Sequence, residues 1–497
     1  MVIHVTFPPV EGKNFAARKM EIMKKEIVIN TTHEETRVAI LENGKMVDLF
    51  IERRESEKIV GNIYKGKVRN VLPGLSSAFV DAGLEKNVYL YVDDVVAEGK
   101  EQKIEKMIAG GQDILVQVDK EPISTKGAKA TMDISLPGRF LVYMPFSEHG
   151  GISKNIHERE ERSRLKSIIN TVKTDLPGGF IVRTEAEDAT EKELKRELKY
   201  LTRMWESIQR RAERAKAPAL VHRDLGIVFQ TVRDYFNEDV ELFLVDSPEE
   251  YKDVLEFVNV VSPELADRVK LYSGKTPIFK AYHAEAEIKG LRANRVNLPS
   301  GGYLIIQEAE SLCAIDVNTG RFTGKKSQEE TVTLTNIEAA NEIPRQLRLR
   351  NIGGIIVIDF IDMKHARNRQ RVLEAISQAV KGDKAKIKIW PITKLGLIEM
   401  TRERRRESFL ALMGEPCPQC HGSGQVLARE TLFITVKQEL EQMRLSCHPG
   451  KVKIRVAPPV AQYFKERIVR LRKAVGGDIE VQSAPDVPWE DYQIIVE

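Results

Sequence analysis

The sequence predicts a multidomain α/β protein that carries a small closed β-barrel. Three observations predict it. The chain has 497 residues, too many for one core at about 150 residues per domain. Short strands broken by Gly and Pro fill residues 60–135, the spacing of a small barrel of OB type. After Pro218 helical and strand periods alternate, which is α/β patterning.

Residues 1–23 (MVIHVTFPPVEGKNFAARKMEIM) have no clear period, and Met20 and Met23 are alternative starting points. KEIVIN then reads as a strand, and TRVAILENGKMVDLFIE as a hairpin turning at Asn43-Gly44. NIYKGKVRNV, SSAFVDAG, NVYLYV and DILVQVDKE are the barrel strands. Between Glu187 and Lys216 the period becomes helical, with Leu194, Leu198, Leu201, Trp205 and Ile208 on one face. That seam lasts only about two heptads, so a helix docked on its own domain is expected rather than a coiled coil. GIVFQTVRDYF, VELFLVD and PEEYKDVLEFV continue the alternation to about residue 290. A second α/β stretch follows, with strands GYLIIQE, LCAIDVN, GGIIVIDFID and AKIKIWPI and the helical TVTLTNIEAANEIPRQLRL. EPCPQCHGSG separates it from residues 425–497, in which 429–444 reads as a helix. There is no internal repeat and no low-complexity tract.

Lys and Arg number 77 against 73 Asp and Glu, a net charge of +4. Any preference for nucleic acid must therefore come from local clusters. Four cysteines are too few for a disulfide framework, which argues for a reducing compartment. No apolar run reaches the roughly 18 residues of a membrane span, and no signal-type segment opens the chain. The expectation is a cytoplasmic protein with no membrane span.

The most informative constellation pairs AIDVNTG (314–320) with IVIDFIDM (356–363). Alternate strand residues share a face, so Asp316 and Asn318 point together, and Asp359 ends an apolar strand of the same unit. If those strands are neighbours, two carboxylates and an amide meet in a histidine-free cluster suited to Mg²⁺. The bland alternative is strand-ending acids that cap turns. Asp362 falls on the other face of its strand and reads as a solvated turn residue.

In the barrel, Lys65, Lys67 and Arg69 alternate on one strand, and Phe79, Tyr89 and Tyr91 lie on later strands with the period of one exposed face. Cations for phosphates and rings for bases are what single-stranded nucleic acid requires, although strand aromatics usually belong to a core. In GGFIVRTEAE (178–187), Arg183 at a strand end can grip a terminal phosphate in a bidentate fork beside the Thr184 hydroxyl; an exposed Arg next to Thr is otherwise commonplace. TRERRRE (401–407) reads as a solvated, self-paired helical face, with Arg402 near enough to the acids to contact phosphate.

Cys417 and Cys420 have metal-ligand spacing, but a structural zinc takes four ligands. Cys313, three residues before Asp316, should face away from the acids and pack as a small hydrophobe. Cys447 with His448 can complete an intramolecular site only if the 429–444 helix folds back. A metal-free turn or redox pair is a second solution. The third is a two-fold axis through the ion that brings Cys417 and Cys420 from each of two protomers. It predicts a homodimer with one zinc per two chains, and leaves open further pairing into a tetramer.

Taken in order, NIYKGKV, AFVDAG, GGIS, IVRT, AIDVNTG, EAANEIPRQLRLRNIGGIIVIDFIDM, GLIEMTR and CPQC resemble the bacterial ribonuclease E/G endoribonucleases from about Lys25 onward. The lack of a long Arg- and Pro-rich tail after Glu497 favours the shorter branch of that family. The resemblance implies an N-terminal extension (1–23), an RNase H-like subdomain in two parts (24–59 and 219–291), an OB-fold RNA-binding domain (60–135) inserted in it, and a 5′-phosphate sensor (136–218). A DNase I-like catalytic subdomain (292–412), a zinc link (413–424) and a small C-terminal α/β domain (425–497) would follow. Carried over by motif, Asp316 and Asp359 would be magnesium ligands with Asn318 as catalytic neighbour. Arg183, Thr184, Gly138 and Val142 would hold the RNA 5′-phosphate, and Phe79, Tyr89 and Lys126 would belong to the RNA-binding barrel. Tyr89 stands where the family often has Phe, and Lys386 where a catalytic-domain Arg is familiar, which keeps charge but loses the planar fork. The same zinc-shared dimer is implied.

The function expected is Mg²⁺-dependent endonucleolytic cleavage of single-stranded A/U-rich RNA, with preference for 5′-monophosphorylated substrates. It would serve rRNA maturation and mRNA decay. A metal-activated water would attack the phosphodiester and leave 5′-phosphate and 3′-hydroxyl ends. The rival is a non-catalytic single-stranded RNA-binding protein, which has no need of the Asp316, Asn318 and Asp359 set. A single-strand stacking barrel disfavours a DNA-directed nuclease.

Overall fold

The computed structural model describes residues 24–53, 59–96, 103–120, 127–147, 150–172, 177–320, 328–393, 395–446 and 451–496. The expectations for residues 1–23, Lys126, Cys447 and His448 lie outside these. The described residues form two compact units, one ending at Ser408 and one beginning at Phe409.

β1 (Lys25–Thr31), β2 (Glu35–Glu42) and β3 (Lys45–Arg53) form an antiparallel meander. Its hairpin turns at Asn43 (φ 53°) and Gly44 (φ 74°), left-handed conformations that Asn-Gly tolerates at low cost. The barrel follows, made of β4 (Ile63–Leu72), β5 (Ser77–Asp81), β6 (Val88–Tyr91), β7 (Asp113–Lys120) and β8 (Lys129–Thr131). Successive pairings run β4–β5–β6–β8–β7, and a β4–β7 ladder closes the ring. Val68, Val80, Val88, Leu90, Val116 and Val118 fill it. Gly66 is required by that packing, because a Cβ there would fall 2.5 Å from Val80 Cγ1.

β9 (Leu136–Pro137), β10 (Leu141–Met144), β11 (Gly151–Ile152) and β12 (Gly179–Val182) form a sheet in the order β11-β12-β10-β9. The helix Glu191–Arg214 starts in a Thr190/Glu193 capping box. It buries Leu194, Leu198, Leu201, Trp205 and Ile208 in one core with Phe140, Leu141, Tyr143 and Phe180, a helix docked on its own domain as its short seam predicts. β13 (Ala219–His222) returns to the outer edge of β4. β14 (Val240–Val245) then lies parallel to β1, and β15 (Val269–Leu271) parallel to β14. The sheet order β15-β14-β1-β2-β3 therefore places the barrel and the β9–β12 sheet as an insertion between β3 and β14.

The last sheet of the first unit contains β16 (Arg295–Asn297), β17 (Tyr303–Glu308), β18 (Leu312–Asn318), β19 (Gly354–Asp359), β20 (Ile387–Ile389) and β21 (Leu397–Arg402), in the order β16-β17-β18-β19-β21-β20. Cys313, Ile315, Val317, Ile356 and Ile358 point into one core with residues of the helices Gln328–Leu349 and Ala366–Ala379. The other face of the sheet is open. The run 401–407 departs from its expected helical form: Thr401 and Arg402 end β21, and the following residues are irregular. Arg406 stacks 4.6 Å over Phe50 and its Nη2 donates to Gln230 Oε1 at 3.2 Å, an anchoring that charge alternation alone does not announce.

In the second unit, β22 (Lys451–Val456), β23 (Asp478–Ser483) and β24 (Tyr492–Val496) form a sheet in the order β23-β22-β24. The helices Arg429–Ser446, Pro458–Lys465 and Ile468–Val475 pack on it through Leu432, Phe433, Val436, Leu440, Phe464 and Leu471. No helix among the described residues is long and apolar enough to cross a membrane.

Candidate active site and nucleic-acid interface

β18 and β19 are parallel neighbours, and their register sets Asp316 opposite Asp359. Buried Ile315 and Val317 flank the first, and buried Ile358 and Phe360 the second. The period of two therefore turns both carboxylates to the open face, where both are exposed. Asn318 lies two residues on, and its Nδ2 donates to Asp316 Oδ2 at 2.7 Å. Among the described residues there is no cluster of three or more His, Cys, Asp or Glu arranged to hold a metal ion. Two carboxylates suit Mg²⁺, which binds through one or two such groups and takes its other ligands from water and substrate phosphate. Asp362 lies beyond the strand end, exposed. Cys313 is buried on the opposite face, and burial pushes its thiol up to about 12.

The residues singled out for a 5′-phosphate come together. Arg183 follows β12, and its backbone N donates to Phe140 O at 2.7 Å. Its Nη1 donates to Gly138 O at 2.5 Å and its Nη2 to Asp234 Oδ1 at 2.9 Å. The Thr184 and Ser153 hydroxyls share a 2.9 Å hydrogen bond. Val142 pairs with Ile181 on the adjoining strand. Gly138 has to be glycine here, because a Cβ would fall 2.6 Å from the Glu197 carboxyl carbon. That carboxylate accepts backbone N–H bonds from Arg139, Phe140 and Leu141 and so fixes the turn that carries Gly138. Burial raises the Glu197 pKa against those three hydrogen bonds.

The sequence reading missed Glu197, Asp234, Glu185 and Lys384. Lys384 Nζ lies 2.9 Å from Glu185 Oε1 and donates to Asp234 O, while Arg183 pairs with Glu185 at 3.5 Å. Asp234 is buried, which by itself would raise its pKa, but the Arg233 hydrogen bond and charge and then Arg183 hold it well below the ordinary carboxylate range. Glu197 and Lys384 meet their partners only in the folded chain; Glu185 and Asp234 each have an Arg within two positions, but it is the fold that joins the two pairs through Arg183 and Lys384.

On the barrel, Phe79 and Tyr89 are register partners on β5 and β6, and their rings meet edge-on at 5.8 Å. Tyr91 is exposed on the same strand as Tyr89. Lys129, also missed by the sequence reading, pairs with Tyr89 across β6–β8 and is held by Asp94 at 2.8 Å. Lys67 and Arg69 are surface cations paired with Asp113 and Asp81. Lys65 departs from the expected row: its Nζ donates to Ala212 O and Ala215 O, both at 3.0 Å, closing the carbonyl end of the Glu191–Arg214 helix. Arg402 departs likewise. Its side chain is 6% exposed, with Nε 2.7 Å from Asp383 Oδ2 and Nη1 donating to Ile352 O at 2.9 Å. The last residue of β21 points inward, so its fork supports the sheet from behind. Lys386 is exposed next to β20.

In the second unit, Cys417 is exposed and Cys420 partly so. His421 N donates to Cys417 O at 2.7 Å and Ser423 N to Cys420 O at 2.8 Å, and positive φ at His421, Gly422 and Gly424 curls the chain. The backbone N–H groups of Cys420 and Gln419, then the Cys420 thiol, lower the Cys417 pKa. N–H groups aimed at sulfur favour a thiolate, which is the form that zinc takes.

A barrel with a ring-and-cation face, joined to a sheet whose open face pairs two carboxylates, is the make-up of a nuclease. The sequence pattern of the Ribonuclease E/G family matches residues 135–405. The chain is 39% identical over 487 residues to Ribonuclease G of Haemophilus influenzae, covering 95% of this chain and 99% of that protein. It is 38% identical over 489 residues to Ribonuclease G of Escherichia coli K12, covering 95% and 100%. Ribonuclease E of H. influenzae is 38% identical over 483 residues, which cover 94% of this chain and 51% of that longer protein. The chain belongs to the Ribonuclease E/G family.

Proposed function

We propose that the protein is a Mg²⁺-dependent endoribonuclease that cuts single-stranded, A/U-rich RNA and prefers 5′-monophosphorylated substrates. The observation that carries this reading is the register match of Asp316 with Asp359 on an open sheet face. A ring-and-cation barrel alone would serve a passive RNA binder, but such a binder has no use for in-register acids. Bound by Asp316 and Asp359, a magnesium ion would supply an activated water and neutralise charge on the phosphodiester. Asn318 holds one Asp316 oxygen by its amide N–H and so fixes the direction in which the carboxylate presents the other. Phe79 and Tyr89 would stack bases, Lys67, Lys129 and Lys386 would follow the backbone, and Arg183 with Thr184 would receive the 5′-phosphate.

In this reading the protein acts in the cytoplasm on rRNA precursors and mRNA, as a homodimer that joins two chains through one zinc on Cys417 and Cys420. The three free cysteines among the described residues are in keeping with a reducing compartment. The β1–β3 and β14–β15 sheet would be the RNase H-like part, and the β16–β21 unit the DNase I-like part. Incubating the protein with a 5′-monophosphorylated A/U-rich oligoribonucleotide, with and without Mg²⁺, tests the reading. Internal cuts that need Mg²⁺ are expected; binding without cleavage would leave only the passive binder.

A further inference from the structure

The open face of the β16–β21 sheet carries an apolar strip among polar residues, where a fully solvated face would be polar throughout. In the row of Asp316 and Asp359 lie Ile305 on β17 and Leu397 on β21. The next row holds Ala314 and Val357, and the one after it Leu312 and Ile355, the latter 52% exposed. Along the β20 edge, Lys386, Lys388 and Trp390 are exposed at the strand period of two, with Trp390 43% exposed. Lys388 pairs with Thr401, which pairs with Ile355, so this edge presents its side chains on the same face as the acids. Trp390 N bonds to Glu399 O at 2.9 Å, and Glu399 pairs with Val357. Trp390 is thus two strand spacings across and two residues along from Asp359, roughly 12 Å at ordinary sheet dimensions.

We propose that Trp390 is a base-stacking residue for the RNA substrate, that Lys388 beside it meets a phosphate, and that the apolar strip from Ile355 to Leu397 is the floor on which nucleobases flanking the cleaved bond lie. This rests on the endoribonuclease reading above. The flat faces of bases on a polyanionic backbone match a floor of aliphatic side chains rimmed by cations; the far rim repeats the pattern, with Arg295 stacked 3.8 Å over Tyr303. A second protein chain seated here would have to bury Asp316, Asp359, Glu399 and both lysines, which costs more than the strip returns. An exposed tryptophan, by contrast, offers a π-face to any base.

The test uses full-length Trp390→Ala and Trp390→Phe, with light scattering on each. On the 5′-monophosphorylated A/U-rich oligoribonucleotide, Trp390→Ala is expected to raise KM roughly tenfold with kcat within about twofold, and Trp390→Phe to restore most of the loss. In parallel, tryptophan fluorescence of Asp359→Asn is titrated with the same oligonucleotide, and the quench should vanish in Asp359→Asn/Trp390→Ala. An unchanged KM, an unchanged quench, or a smaller particle mass for Trp390→Ala, which would mark the face as a contact between copies, overturns the inference. Failure of the wild type to cleave would overturn the endoribonuclease reading alone, since the titration reports on Trp390 without catalysis.

Discussion

Arg183 and Asp234 are 51 positions apart, yet Nη2 of one donates to Oδ1 of the other at 2.9 Å. Asp234 is itself gripped by Arg233 through both carboxylate oxygens, so it is a fixed post against which the Arg183 guanidinium is aimed. Asp234→Asn keeps the shape but loses the charge. It is expected to lower the preference for 5′-monophosphate over 5′-hydroxyl RNA roughly tenfold while leaving 5′-hydroxyl cleavage nearly unchanged. Arg183→Ala should remove the preference altogether. Parallel rates on the two oligonucleotides decide; equal slowing of both would make the pair purely structural.

Asp316→Asn and Asp359→Asn should each reduce cleavage by at least a thousandfold and leave RNA affinity within about threefold, because in the proposed reading the RNA is held by rings and cations and not by the acid pair. Single-turnover assays and filter binding on the same preparations separate the two quantities. Robust Mg²⁺-dependent cutting by either variant would remove the acid pair from the mechanism.

Arg402→Ala should act on stability. It strands the Asp383 carboxylate in a site where both side chains are almost fully buried, a change that costs about 3–5 kcal/mol. Urea unfolding should show it as a lower midpoint. A weaker affinity for RNA with stability unchanged would return Arg402 to the substrate path.

Acid should loosen the junction around Arg183. Burial raises the pKa of Asp234 and Glu185, but their cationic partners win and hold both below the ordinary range. A depressed folded pKa stabilises fully above the unfolded value and loses that effect as pH falls through the folded one. The contribution is therefore whole above about pH 5 and declines below about pH 4. Melting temperatures between pH 7 and pH 3 should fall more steeply for the wild type than for Asp234→Asn.

Metal analysis with light scattering tests the cysteine turn. One zinc per two chains is expected, and Cys417→Ser/Cys420→Ser should lose both the zinc and the dimer. One zinc per chain, or a dimer that survives the double change, would place the other ligands elsewhere.

The strands were legible because period two and Gly-Pro breaks are local, and so was the acid pair, since AIDVN and IVID each end an apolar strand. Lys65 and Arg402 misled because a cation on a strand or in a charged run shows its charge but not its partner. Lys65 caps a helix that ends about 150 residues later, and Arg402 turns inward to Asp383. Asp234 and Glu197 were invisible for the same reason: a buried carboxylate is explained by what it faces, and that is settled by packing.

The insertion between β3 and β14 also bears on synthesis. β1 waits for its parallel neighbour until residues 240–245 have left the ribosome, on the order of ten to forty seconds after its own emergence at ~5–20 residues per second. Meanwhile it has only the β2–β3 hairpin, with one backbone edge unfilled. The barrel closes on itself within residues 63–131 and can be complete before that gap is filled. The order of assembly is thus written into the topology: the inserted part first, its host last. Any slowing of translation between residues 131 and 240 lengthens the interval in which the β1 edge can pair with the wrong strand.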